Sequence, residues 1–127
     1  MPKFVKSERL CSPLAISHLF DKGYSIYKHP VKIKWLPVKT DNNQHVQVVI
    51  SVSKSRFKRA VDRNRIKRLI RESFRLHKSI LIEGLNGRQC HLAIIYIGKT
   101  LPLMNDLEPI IIELFHRLNK EYESIAG

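Results

Sequence analysis

KSRFKRAVDRNRIKRLIRESFR, residues Lys54 to Arg75, holds ten lysines and arginines against only Asp62 and Glu72, a net of +8 out of +12 for the whole 127-residue chain. A focused cationic surface raises the local concentration of a polyanion and steers its approach, which scattered charge does not. The stretch also has a helical period. Steps of about 100° per residue place Ile66, Leu69, Ile70, Ser73 and Phe74 on one arc. Asn64, Lys67, Arg68, Arg71 and Arg75 fall on the opposite arc, with Arg63 and Arg65 at the margins. The spacing predicts a helix from about Ala60 to His77 that docks one side on a core and presents a cationic ridge on the other, preceded by a loop from Lys54 to about Arg59. A merely solvated face would interleave acids with bases for i,i+4 support, and here only Glu72 offers that.

The segments on either side read as sheet and as helices packed on it. Upstream, VQVVISVS (Val46–Ser53) alternates Val46, Val48, Ile50 and Val52 against Gln47, Val49, Ser51 and Ser53, the period of a strand. The small Ser51 and Ser53 leave room beside the sheet. VKIKWLPV (Val31–Val38) alternates Val31, Ile33 and Trp35 with Lys32 and Lys34, and Pro37 should end its ladder or leave it at an edge. KTDNNQH (Lys39–His45) reads as a surface hairpin loop between these strands. Nearer the N-terminus, Ser12-Pro13 opens a helix that Gly23 closes, with Leu14, Ala15, Ile16, Leu19 and Phe20 as its apolar face. Downstream, Ile80–Gly87 contains a turn around Gly84 and Asn86-Gly87, and HLAIIYI (His91–Ile97) fits a central strand covered on both faces. Asn105 to Pro109 begins a last helix in the manner of a capping box, and Leu107, Ile110, Ile111, Leu114, Phe115, Leu118 and Tyr122 form its core stripe.

Composition bounds the function. An apolar fraction of 43% supports a packed core, and 127 residues suit one domain, 1–127, needing no disulfide or metal staple. No apolar run approaches the ~18 residues of a membrane span, and MPKFVKSERL lacks a signal-peptide core, so a cytoplasmic location is expected. Cys11 and Cys90 form no C-x-x-C pair and are expected as reduced, semi-buried thiols. The six histidines show no ligand spacing and read as surface or half-buried, so no metal site is expected. No phosphate loop, nucleophile elbow or pair of carboxylates suggests catalysis by the chain itself. Any chemistry then belongs to a partner, and nucleic acid suits the charge best.

Ala60 to Arg71, AVDRNRIKRLIR, matches without a break the A-V-x-R-N-R-x-K-R-x-x-R signature of the bacterial ribonuclease P protein subunits, and the chain closely resembles that family. Ser51-Val52-Ser53-Lys54, Arg9-Leu10, Phe20 to Gly23 and the final helix with Leu114-Phe115 extend the resemblance over nearly the whole chain. The resemblance implies a small α+β domain of order αββαβα with a mixed sheet and a left-handed βαβ crossover, the ribosomal protein S5 domain 2-like fold. It implies binding of a catalytic RNA subunit by Arg63, Asn64, Arg65, Lys67, Arg68 and Arg71, by Lys54 before them, and by Arg56, Lys58 and Arg59 of the loop. It further implies a cleft of Ile16, Phe20, Lys34, Trp35, Ser51 and Ser53 that holds the 5′ leader of precursor tRNA. Ile16 stands in place of one of the family's two helix aromatics, and Trp35 is the strand residue able to stack. The resemblance also implies that catalysis falls to the RNA with Mg²⁺, which the RNA subunit mainly binds, and a monomer before assembly, away from membranes, is expected. The loop Ser55–Arg59 is one residue longer than the family form and lacks its glycine.

Two other functions fit part of the sequence. A structural RNA-binding protein of the ribosomal kind explains charge and fold class but not the unbroken signature. A DNA-binding regulator needs a helix-turn-helix or zipper to read the major groove, and the chain offers neither clearly.

Overall fold

The computed structural model describes residues 8–40 and 44–126. Its elements are α1 (Pro13–Lys22), β1 (Tyr24–Lys28), β2 (Val31–Val38), β3 (Val46–Val52), α2 (Ala60–Leu85), β4 (Gln89–Tyr96) and α3 (Met104–Ala126). The four strands form one mixed sheet in the order β1-β2-β4-β3, with β4 antiparallel to β2 and parallel to β3. The fold is α+β, as expected, with one strand more than the sequence suggests. β1 forms a hairpin with β2 across a turn that holds a cis His29–Pro30 bond. Its only buried residue is Ile26, so it carries almost no alternation to read.

Alternation sorts the sheet's side chains into two layers. Val31, Ile33, Trp35, Val46, Val48, Val52, Leu92, Ile94 and Tyr96 face α2 and α3. They form the main core with Ile66, Ile70 and Phe74 of α2 and with Ile111 and Phe115 of α3. The opposite face carries a smaller cluster of Leu10, Leu19 and Ala93, against which Ala15, Ile16, Phe20, Leu36, Val49 and Ile95 pack. α1 therefore covers one side of the sheet, and α2 and α3 cover the other.

Several boundaries differ from the sequence reading. α2 runs on to Leu85 rather than ending near His77, because Leu81 and Leu85 continue the buried stripe of Ile66, Ile70 and Phe74. Gly84 lies inside this helix, where a Cβ would collide with the Asn119 side chain, so it serves close helix packing rather than a turn. The turn falls at Asn86-Gly87, both with positive φ. Lys39–His45 joins no hairpin, since β4 lies between β2 and β3; residues 41–43 are outside those described. α3 starts at Met104, and the amides of Asp106 and Leu107 donate to the Leu103 carbonyl. Asn105 is thus not the cap, and Glu108 pairs instead with His77 at 2.8 Å. Leu14, expected on the apolar face of α1, is 84% exposed. Pro37 sits past Trp35, the last β2 residue that β1 pairs, while the ladder to β4 continues through Val38.

The thiols and one histidine also depart from expectation. Cys11 is exposed and Cys90 buried, and burial pushes the Cys90 thiol up to about 12. His91 is buried on the α1 side of β4, and among the described residues its Nε2 has no hydrogen-bond partner. Burial, reinforced by His18, holds its pKa below the ordinary imidazole value. The folded chain then binds fewer protons at this site than the unfolded chain, so its stability is intact above the unfolded pKa of about 6.5 and falls as pH drops through that value toward the folded one. Denaturant titrations between neutral and mildly acidic pH should show the wild type losing more stability than His91→Gln; parallel curves would remove His91 from the account.

Candidate RNA-binding surface

The cationic helix is placed by what lies beneath it. Ile66, Ile70, Ser73 and Phe74 are buried, leaving Asn64, Arg65 and Arg68 exposed and Lys67 and Arg71 half-buried along the side of β3. Arg9, Leu10, Val48, Val49, Ile50, Lys67 and Arg71 line a recess of about 230 Å³ there. The N-terminal segment closes its rim: the Leu10 amide donates to the Val48 carbonyl at 2.9 Å, and the buried Glu8 carboxylate accepts from Lys78 at 2.8 Å. Three cationic side chains therefore meet at one edge of the sheet.

Not every base in the stretch belongs to this ridge. Arg75 bonds Glu72, its Nε donating to Oε2 at 3.1 Å, and the guanidinium lowers the Glu72 pKa while its own rises. Arg63 turns back on the loop, and its Nη1 donates to the carbonyls of Phe57 at 2.7 Å and Lys58 at 2.9 Å. Arg56 donates to the Ile97 carbonyl, and Arg59 lies 3.9 Å from Asp62. Phe57, buried against Tyr96 with ring centroids 6.0 Å apart, pins the loop. The path that a glycine would otherwise ease is fixed here by an aromatic plug, which leaves Lys54, Arg56, Lys58 and Arg59 exposed around it.

On the sheet face beside α1, Ile16 and Phe20 are half-buried in the small cluster, and Lys34 Nζ donates to the Phe20 carbonyl at 2.7 Å, capping the end of α1. Ser51 and Ser53 are half-buried, with Ser51 in register with Ile95 and Ser53 Oγ 2.7 Å from Ser55 Oγ. Five of the six expected cleft residues thus share this side of the molecule. Trp35 does not. It is fully buried on the other face, stacked on Tyr122 at 5.3 Å and against Tyr24 at 4.9 Å, because it shares the alternation of Val31 and Ile33.

A larger recess of about 500 Å³ lies at the opposite end of the sheet, lined by Pro37, Val38, Lys39, Gly87, Arg88, Gln89, Tyr122 and Ile125, with Arg88 4.7 Å above the Tyr122 ring. Its lining holds no Asp, Glu, His, Ser or Cys. Among the described residues no three His, Cys, Asp or Glu side chains converge into a cluster. No helix is long and apolar enough to cross a membrane, again among the described residues.

A mixed sheet with a cationic helix along one edge and a half-open face beside it defines a small basic α+β protein whose positive charge is gathered on one helix. Residues 4–106 match the family model described as Ribonuclease P. The ribonuclease P protein component of Porphyromonas gingivalis is 36% identical over 105 residues, covering 81% of this chain and 77% of that protein. That of Chlorobaculum tepidum is 39% identical over 113 residues, covering 82% and 73%. The RNase P protein from Thermotoga maritima shares the fold at a TM-score of 0.70 and 19% identity, covering 86% of this chain and 96% of that one. The chain belongs to the ribonuclease P protein family, the protein part of a tRNA-processing endoribonuclease.

Proposed function

We propose that the chain binds the catalytic RNA subunit of ribonuclease P through the α2 ridge and the loop before it, and guides the 5′ leader of precursor tRNA over the sheet face beside α1. The observation that carries this reading is the placement of Lys67 and Arg71 at the β3 edge, next to that face, on a helix that also exposes Asn64, Arg65 and Arg68. Cations so placed neutralise phosphates and release counterions. The RNA, with the Mg²⁺ it binds, cleaves the phosphodiester, and this chain contributes position and charge. It acts in the cytoplasm as a single RNA-binding domain, monomeric before assembly.

Reconstitution tests the reading. Adding the protein to a candidate RNA subunit at low Mg²⁺ should raise cleavage of precursor tRNA and favour substrates that carry a leader. Cleavage indifferent to the protein would sink the proposal and leave a structural RNA-binding role.

A further inference from the structure

We propose that Tyr27 is a base-stacking residue at the far end of the leader cleft, where Lys32 holds the phosphate of the stacked nucleotide. The inference rests on the sheet face being the leader cleft and extends it onto β1. Ile26 is buried in the main core, so by strand alternation Tyr27 faces the α1 side, and it is 50% exposed. The registers Tyr27↔Lys32, Lys32↔Ile95 and Ser51↔Ile95 set one residue from each strand in a single row. Three strand spacings make that row on the order of 14 Å long. α1 fully covers Ala93 in the neighbouring row, whereas Ile95 in this one is only half-buried.

The chemistry of the row suits a single RNA strand, which is held by cations along its backbone and aromatic faces for its bases. Ser51 begins the row near Lys54, and Tyr27 ends it beside Lys32, with no carboxylate among the four residues. Trp35 cannot take this part from the opposite face. Tyr27 is also held in place: its carbonyl accepts from Arg117 at 2.9 Å, Lys28 pairs with Glu113 at 3.3 Å, and the ring meets His29 edge-on at 6.5 Å. A fixed aromatic ring with an open side needs little ordering to receive a base.

The test uses the holoenzyme reconstituted from the full chain, with labelled precursor tRNAs bearing a leader of several nucleotides, of one nucleotide, or none. Tyr27→Ala should weaken binding of the long-leader substrate roughly tenfold and leave the leaderless one unchanged. Tyr27→Phe should stay close to wild type, because the ring face rather than the hydroxyl does the stacking. If the wild type prefers the long leader and Tyr27→Ala keeps that preference, Tyr27 does not stack. Equal losses with and without a leader would assign it a structural role instead. A wild type with no leader preference would overturn the cleft itself, and this inference with it.

Discussion

Trp35→Ala should lower unfolding stability by about 3–5 kcal/mol, the range for removing a large aromatic side chain from a core. Trp35 is fully buried between Tyr24 and Tyr122, and its removal takes a neighbouring ring from both. A loss of that size is a large part of the roughly 5–15 kcal/mol that holds a typical domain folded. Trp35→Phe should cost less, since it keeps a ring and removes an indole Nε1 that has no hydrogen-bond partner among the described residues. Chemical denaturation gives the answer. An unchanged midpoint together with weakened leader binding would return Trp35 to the cleft.

The second large effect is on RNA affinity. With roughly 6–8 phosphates neutralised, the logarithm of affinity for the RNA subunit should fall against the logarithm of salt with a slope of roughly −5 to −7. Arg68→Ala with Arg71→Ala should flatten that slope by roughly two, about one for each phosphate no longer neutralised. Affinity should drop on the order of a hundredfold, as expected for two charge-assisted hydrogen bonds. Circular dichroism should be unchanged, because neither side chain belongs to the core. A wild-type slope near zero would rule out phosphate neutralisation, and binding that survives while only leader discrimination disappears would assign the ridge to the wrong RNA. Arg63 is a poor substitute in this experiment, because its guanidinium is committed to the carbonyls of Phe57 and Lys58.

Periodicity carries much of this structure. The α2 ridge, the α3 stripe and the strands at Val31 and Val46 are legible because each alternates buried and exposed positions, and the strand at His91 because its apolar run is nearly unbroken. β1 is not, since one buried isoleucine makes no pattern. The end of α2 escapes a sequence reading because Gly84 resembles a turn residue until Asn119 is seen against it. In the site, the helix arc identifies which bases face outward, but the inward turn of Arg63 and the pairing of Arg75 depend on neighbours brought close only by folding. Trp35 misleads for a related reason: its residue type suits stacking, while its parity with Val31 and Ile33 assigns it to the core.

The strand order has a consequence for how the molecule comes into being. β2 and β3 leave the ribosome one after the other yet are not neighbours in the sheet, because β4, made only after all of α2, lies between them. Until then the β1–β2 hairpin and β3 are separate pieces, and the helix that carries the ridge has no complete sheet to lie on. A nascent chain that stops short of β4 therefore lacks the strand that joins β2 to β3.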